Sequence, residues 1–287
     1  MCDEFIHPGL VEDHRLSRRT FGLMTAVAAS LPATALAQSD VVEEDVAVKT
    51  ADGTCDAALF HPAGKGSWPA VLVWPDIMGL RPVFRDMGRR LAAQGYVVLV
   101  PNPFYRSAHA PVIGESFDFN NQEQRNRLFG YRSAMTDAGI DHDAQAYLAF
   151  LDSRPQTAKT KKAGVQGYCM GGALSFRTAA AVPARVAAVG SFHGGNGLVT
   201  KEANSPHLLI PKTNATYLIC QAQNDDMQAP QVKEDLKAAF VAAKRPATVE
   251  VYQANHGWCV KGGAVYNEGE AERAWAALTK LYQSSLV

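Results

Sequence analysis

The chain predicts one α/β domain, a mostly parallel central sheet covered by helices on both faces. Three observations carry that reading. Strand-like and helix-like segments alternate through most of the chain. Two of the strand-like segments, Ala70 to Trp74 and Tyr96 to Val100, are short unbroken apolar runs, the pattern of strands buried on both faces. Between another such strand and a helix of small residues lies Gly167-Tyr168-Cys169-Met170-Gly171-Gly172, a sharp glycine-bounded turn.

The elements follow in order. Val41 to Lys49 alternates weakly and Thr54 to Phe60 follows the turn signal Asp52-Gly53, which predicts an antiparallel hairpin at a sheet edge. After the Ala70–Trp74 strand, Val83, Met87 and Leu91 recur at helical spacing, and Gly95 stops that helix. Pro101 ends the next strand. The polar stretch from Asn102 to Asp137 is too long for a plain connection and reads as a lid-like excursion with some helix. Ala144 to Leu151 is helical. The strand Ala163 to Gln166 leads into the glycine turn, and the helix Ala173 to Ala180 leaves it. Strands over Val186–Phe192, Thr216–Gln221 and Thr248–Tyr252 alternate with helices over Gln231–Ala243 and Glu270–Tyr282.

Composition narrows the function classes. With 287 residues, 47% hydrophobic and 20% charged, the chain resembles an ordinary globular protein. Its formal net charge of zero gives no footprint for nucleic acid or an anionic membrane. Ser17-Arg18-Arg19-Thr20-Phe21-Gly22-Leu23 looks like a twin-arginine export signal, followed by an apolar run to Leu31 and a small-residue cleavage site at Ala35-Leu36-Ala37. Residues 1–37 therefore read as a signal peptide and 38–287 as the domain, placed in the periplasm or outside the cell, or in the cytoplasm if the signal does not function. The apolar run falls short of the ~20 residues a membrane span needs, so no stable anchor is expected. Cys2 leaves with the signal, and Cys55, Cys169, Cys220 and Cys259 remain. Because twin-arginine substrates fold in a reducing compartment before export, these four are expected to stay unpaired.

In an open parallel sheet, reactive groups gather on loops at the carboxyl ends of strands. Three such loops carry chemistry: the turn at Cys169, the run Gln223-Asn224-Asp225-Asp226, and Asn255-His256-Gly257-Trp258. Nucleophile, acid and histidine in that chain order is the α/β-hydrolase order. Cys169, at the positive end of a helix, is the candidate nucleophile; His256 would accept its proton and later activate water; an aspartate of the Asp225-Asp226 pair would fix the imidazole's tautomer. Backbone N–H groups of Met170 and of Ile77, in the loop Trp74-Pro75-Asp76-Ile77-Met78-Gly79, are the expected oxyanion donors. Asp76 is read either beside the sulfur or as a cap for the helix starting near Arg81. Among the other histidines, His61, His109, His142 and His207 read as surface or loop residues, and His193 as core packing in preference to pocket lining.

These residues together resemble the dienelactone hydrolase family (carboxymethylenebutenolidases), from roughly Val42 to the C-terminus. The carriers are Pro75-Asp76-Ile77-Met78-Gly79, Gly167-Tyr168-Cys169-Met170-Gly171-Gly172-Ala173, Ala222-Gln223-Asn224-Asp225 and His256-Gly257-Trp258. The resemblance implies an α/β-hydrolase fold, a Cys169–Asp225–His256 triad and hydrolysis of cyclic enol-lactones, a dienelactone opening to maleylacetate, with no metal or organic cofactor. Asp226 stands four residues before Pro230, also a family-like spacing, but Asp225 gives the longer match. The family's best-known members carry glutamate where this chain has Asp76, and bind the substrate carboxylate with arginines. Here Lys261, Arg106, Arg125 and Arg127 are the candidate cations. The expected partners are therefore a small ester or lactone and the export machinery, with the enzyme a monomer. Two other readings stay open: a broad carboxylesterase or thioesterase with the same triad, and a thiol redox or binding protein in which Cys259 acts as a resolving thiol for Cys169.

Overall fold

A computed structural model describes residues 40–114 and 117–287; the signal-peptide reading over 1–37 lies outside them. Eight strands form one sheet: β1 (Val41–Thr50), β2 (Gly53–Pro62), β3 (Ala70–Trp74), β4 (Val97–Pro101), β5 (Ala163–Tyr168), β6 (Val186–Phe192), β7 (Thr216–Ala222) and β8 (Ala247–Tyr252). Their order is β1-β2-β4-β3-β5-β6-β7-β8. The β1–β2 hairpin and the β2–β4 pair are antiparallel, and every pair from β4–β3 to β7–β8 is parallel. The chain steps from β3 to β4 on one side, then returns to place β5 on the other side of β3. The carboxyl ends of β3 and β5 thus flank the point where strand order reverses, the place where such sheets open a crevice.

Apolar alternation decides which face each strand serves. Leu72 and Trp74 join the core under helices α3 (Asp137–Ser153), α4 (Met170–Ala181) and α6 (Gln231–Ala243). Val71 and Val73 face the opposite core, under α1 (Pro82–Ala93) and α7 (Glu268–Ser285). With both faces covered, the middle strands have no solvent side. That is why they read as continuous apolar runs.

Two expectations change. The 102–137 stretch is not a lid: Phe104, Phe117, Phe119 and Leu128 are buried in the α3/α4 core, and the segment carries helix α2 (Gln122–Ser133). His61 is not on the surface; it is 5% exposed on β2, with Nδ1 against the Pro62 carbonyl. Among the described residues no helix is long and apolar enough to cross a membrane.

Candidate active site

The nucleophile candidate sits where β5 ends and α4 begins. Cys169 has φ 53° and ψ −119°, a conformation that a side-chain-bearing residue holds only when its surroundings impose it. The flanking glycines make this possible. A Cβ on Gly167 would collide with the Gly171 carbonyl, and one on Gly171 would collide with the carbonyls of Trp74 and Pro75. The first turn of α4 thus rests directly on the loop that leaves β3. Met170 is the first residue of α4, and Ile77 lies buried in that neighbouring loop. The partly exposed thiol stands at the positive end of a twelve-residue helix.

Asp76 neither caps α1 nor accepts any hydrogen bond from Cys169. The N-cap of α1 is Arg81 with no side-chain cap, and Asp76 instead receives both ends of the Arg81 guanidinium, at 2.6 and 2.8 Å. Its Oδ1 also accepts the Met78 N–H at 2.9 Å. Both partners are buried, so this ion pair fixes the turn that carries Ile77.

The acid and histidine loops are joined residue by residue. Gln223 N–H donates to the Ala254 carbonyl at 3.0 Å, and the Asn224 side-chain oxygen accepts the His256 N–H at 2.8 Å. The Asp225 carboxylate meets His256 Nδ1 at 2.7 Å. Asp225 stands in the first turn of the short helix α5 (Gln223–Gln228) and is 1% exposed. Asp226 points elsewhere, to Lys233 on α6 at 2.7 Å. Of the two aspartates in the run, Asp225 is therefore the one that holds the imidazole.

Burial pulls the His256 imidazole towards neutrality. The nearby Cys169 sulfur, then the hydrogen bond to Asp225 and the charge of that carboxylate, outweigh it and push the group up to about 10. Asp225 occupies Nδ1, and His256 Nε2 makes no well-formed hydrogen bond, which leaves that nitrogen for proton traffic. The arrangement can hold a charged imidazole close to the Cys169 thiol.

His193 is packed into this constellation, where packing alone was expected. It follows β6 with φ 39°, is fully buried, and its Nδ1 accepts the Cys169 N–H at 3.1 Å. Its ring meets the His256 ring edge to face, with centroids 4.7 Å apart. Arg81 was also missed as a site-shaping residue. The signals were there: a histidine before Gly194-Gly195 at the same sheet edge as the nucleophile, and an arginine five residues after an acid in the oxyanion loop.

The candidate cations do not converge on the triad. Arg106 pairs with Asp52 and Asp143, at 2.6 and 2.7 Å, and Arg125 donates to the Phe119 carbonyl. Arg127 is exposed on α2. Lys261 lines a cavity of about 290 Å³ between α1 and α7, together with Cys259, Tyr266 and Trp275, and no triad residue lines it. The four cysteines of the described residues are free thiols. Burial, then the neighbouring Cys220 and Asp76, hold Cys259 well above the ordinary thiol range. Among the described residues no cluster of three His, Cys, Asp or Glu side chains could hold a metal ion.

Comparison with known proteins agrees with this geometry. A model of the dienelactone hydrolase family matches residues 55–286. A carboxymethylenebutenolidase of Pseudomonas sp. strain P51 is 36% identical over 129 residues, covering 45% of this chain and 51% of that protein. A carboxymethylenebutenolidase of Rhodococcus opacus is 25% identical over 201 residues, covering 70% of this chain and 74% of that protein. Among solved structures, a Klebsiella pneumoniae protein assigned as a dienelactone hydrolase superposes with a TM-score of 0.72 at 22% identity, covering 85% of this chain and 99% of that one. That likeness identifies the fold as that of the α/β-hydrolases.

Proposed function

The chain belongs to the dienelactone hydrolase family and is a hydrolase acting on ester bonds; from this premise we propose that Cys169 is its nucleophile and that lactones and esters are its substrates. His256 takes the thiol proton, and the sulfur attacks the carbonyl carbon. The oxyanion is held by the N–H groups of Ile77 and Met170. The carbon–oxygen bond then breaks, His256 returns the proton to the leaving oxygen, and an acyl-thioester remains. Water attacks the thioester while His256 accepts a proton from it; the carbon–sulfur bond breaks, and the carboxylic acid leaves. With a dienelactone the product is maleylacetate.

One observation carries the reading: a cysteine forced to φ 53° at a strand–helix turn, coupled to an imidazole that Asp225 holds at 2.7 Å. Each well-placed oxyanion donor contributes about 3 kcal/mol to such a reaction. The test is Cys169→Ala in the purified protein, assayed on a dienelactone, aryl esters and thioesters. Loss of all turnover is expected, and undiminished hydrolysis by this variant would remove the proposal.

A second reading is a broad carboxylesterase with the same triad. It is favoured by the ion pairs that occupy Arg106 and Arg81, since a carboxylate-bearing lactone needs a cation to receive it. Faster turnover of uncharged aryl esters than of dienelactone would select it. The thiol-redox reading has less support, because Cys259 is a half-buried thiol lining the α1–α7 cavity, which Cys169 does not line.

The mature enzyme acts as a monomer outside the cytoplasm, exported through Arg18-Arg19. Replacing both arginines with lysine should leave the protein in the cytoplasm, and unchanged periplasmic accumulation would end the export claim.

A further inference from the structure

We propose that His193 is a positioning residue for the reaction, with its Nδ1 holding the backbone of the nucleophile and its ring seating the ring of His256. The inference rests on the reading of Cys169 as nucleophile and adds a residue to it. The Cys169 N–H points into a fork formed by the Phe192 carbonyl at 3.0 Å and His193 Nδ1 at 3.1 Å. A nitrogen that accepts from an N–H carries no proton, so the His193 proton is on Nε2 and the ring is neutral. Burial, then the neighbouring His256, push this ring well below the usual histidine range, which keeps it in that form.

The backbone around His193 is built to deliver this contact. Its own N–H is tied to the Cys220 carbonyl on β7 at 2.8 Å, and its φ of 39° turns the side chain back toward the elbow. The ring is enclosed by aromatic neighbours: His256 at 4.7 Å and Trp258 at 5.4 Å, both edge to face, and Tyr168 at 6.0 Å. His193 therefore touches both halves of the proton-transfer pair, through the main chain of one and the ring of the other. Its Nε2 is buried without a hydrogen-bond partner, a cost with no structural return if the residue served packing alone.

Two substitutions separate positioning from packing. His193→Asn places an oxygen where Nδ1 stood and tolerates a positive φ. His193→Gln carries its amide one atom farther out, where Nε2 stood, and loses the acceptor for the elbow. The asparagine variant is expected to keep kcat within about fivefold of the parent, whereas the glutamine variant loses roughly 10- to 100-fold in kcat with KM nearly unchanged. Alkylation of Cys169 by iodoacetamide, located by mass spectrometry, should slow in the glutamine variant and not in the asparagine one. Equal losses in the two variants, a better glutamine variant, or no loss in either would overturn the proposal. The alkylation arm does not depend on turnover, so it judges His193 even if Cys169→Ala were to remain active.

Discussion

The two loops that carry Asp225 and His256 and the loop that leaves β3 are held in opposite ways. Residues 223–225 and 254–256 are joined by neutral and charged contacts spread over consecutive residues: Gln223 to Ala254, Gln223 to Asn255, Asn224 to His256 and Asp225 to His256. The 76–81 loop depends on one buried ion pair, Asp76–Arg81, with the Met78 and Gly79 N–H groups folded onto the same aspartate. A distributed set of contacts weakens by degrees when one member is lost. A loop whose order rests on one charged pair fails when either partner goes, because the survivor is left buried and uncompensated.

Replacing Asp225 is expected to have the largest effect, since it removes the one contact on the base side that no neighbour duplicates. Asp225→Asn should keep the fold and lower kcat by about 10³- to 10⁴-fold, because the imidazole loses both its tautomer lock and its counter-charge. Asp226→Asn, which touches only Lys233, should change kcat less than about twofold. A similar loss in both variants would break the assignment of the acid. The pH dependence of stability adds a second check. His256 lies above its unfolded value, so its contribution is fully present below about 6.5 and is lost as pH rises through about 10. The neighbouring Cys169 contributes first to that rise and Asp225 after it. Thermal midpoints should therefore fall less between pH 6.5 and 10 in Asp225→Asn than in the parent.

The 76–81 loop comes next. Arg81→Met leaves a carboxylate that is 2% exposed without its partner, and should cost about 3–5 kcal/mol of stability by urea unfolding. Asp76→Asn combined with Arg81→Met should recover much of that loss, because no charge remains to be compensated. If catalysis uses the Ile77 N–H, the double variant will fold yet show a lower kcat, since the loop keeps its packing but not its clamp. A double variant with full kcat would show that the loop is ordered by packing instead, and would erase the contrast with the base side.

The contrast also explains what could be read from the sequence. Most strands lie within a residue or two of their expected ends, because middle strands covered on both faces must be unbroken apolar runs. Cys169, Asp225 and His256 could be picked out because each follows a strand end, beside a small local signal. Helix α5 was not: its six residues, Gln223 to Gln228, include Met227 alone among apolar side chains, and the helix exists to turn Asp225 towards His256. The 102–137 stretch misled because Phe104, Phe117, Phe119 and Leu128 follow no sustained helical or strand period, yet all enter the α3/α4 core, Phe117 and Phe119 edge to face at 5.5 Å. The Asp76–Arg81 pair and the His193–Cys169 bond are contacts of geometry. Nothing in spacing distinguishes an aspartate that caps a helix from one that clamps an arginine.

The smallest expected effect sharpens the comparison most. Asn224→Ala removes the side-chain oxygen that accepts the His256 N–H at 2.8 Å, leaving the backbone Gln223–Ala254 and the Asp225–His256 ties in place. A hydrogen bond of this kind is worth about 1 kcal/mol net, so kcat should fall by no more than about tenfold and the thermal midpoint by a few degrees. Distribution of load predicts a second feature: Asn224→Ala made together with Gln223→Ala, which removes the Gln223 Nε2 donation to Asn255, should cost more than the sum of the two single changes, as each side chain covers for the other in holding the histidine loop. Strict additivity would mean that Asp225 alone orients His256, and that the base side, like the 76–81 loop, rests on a single charged contact.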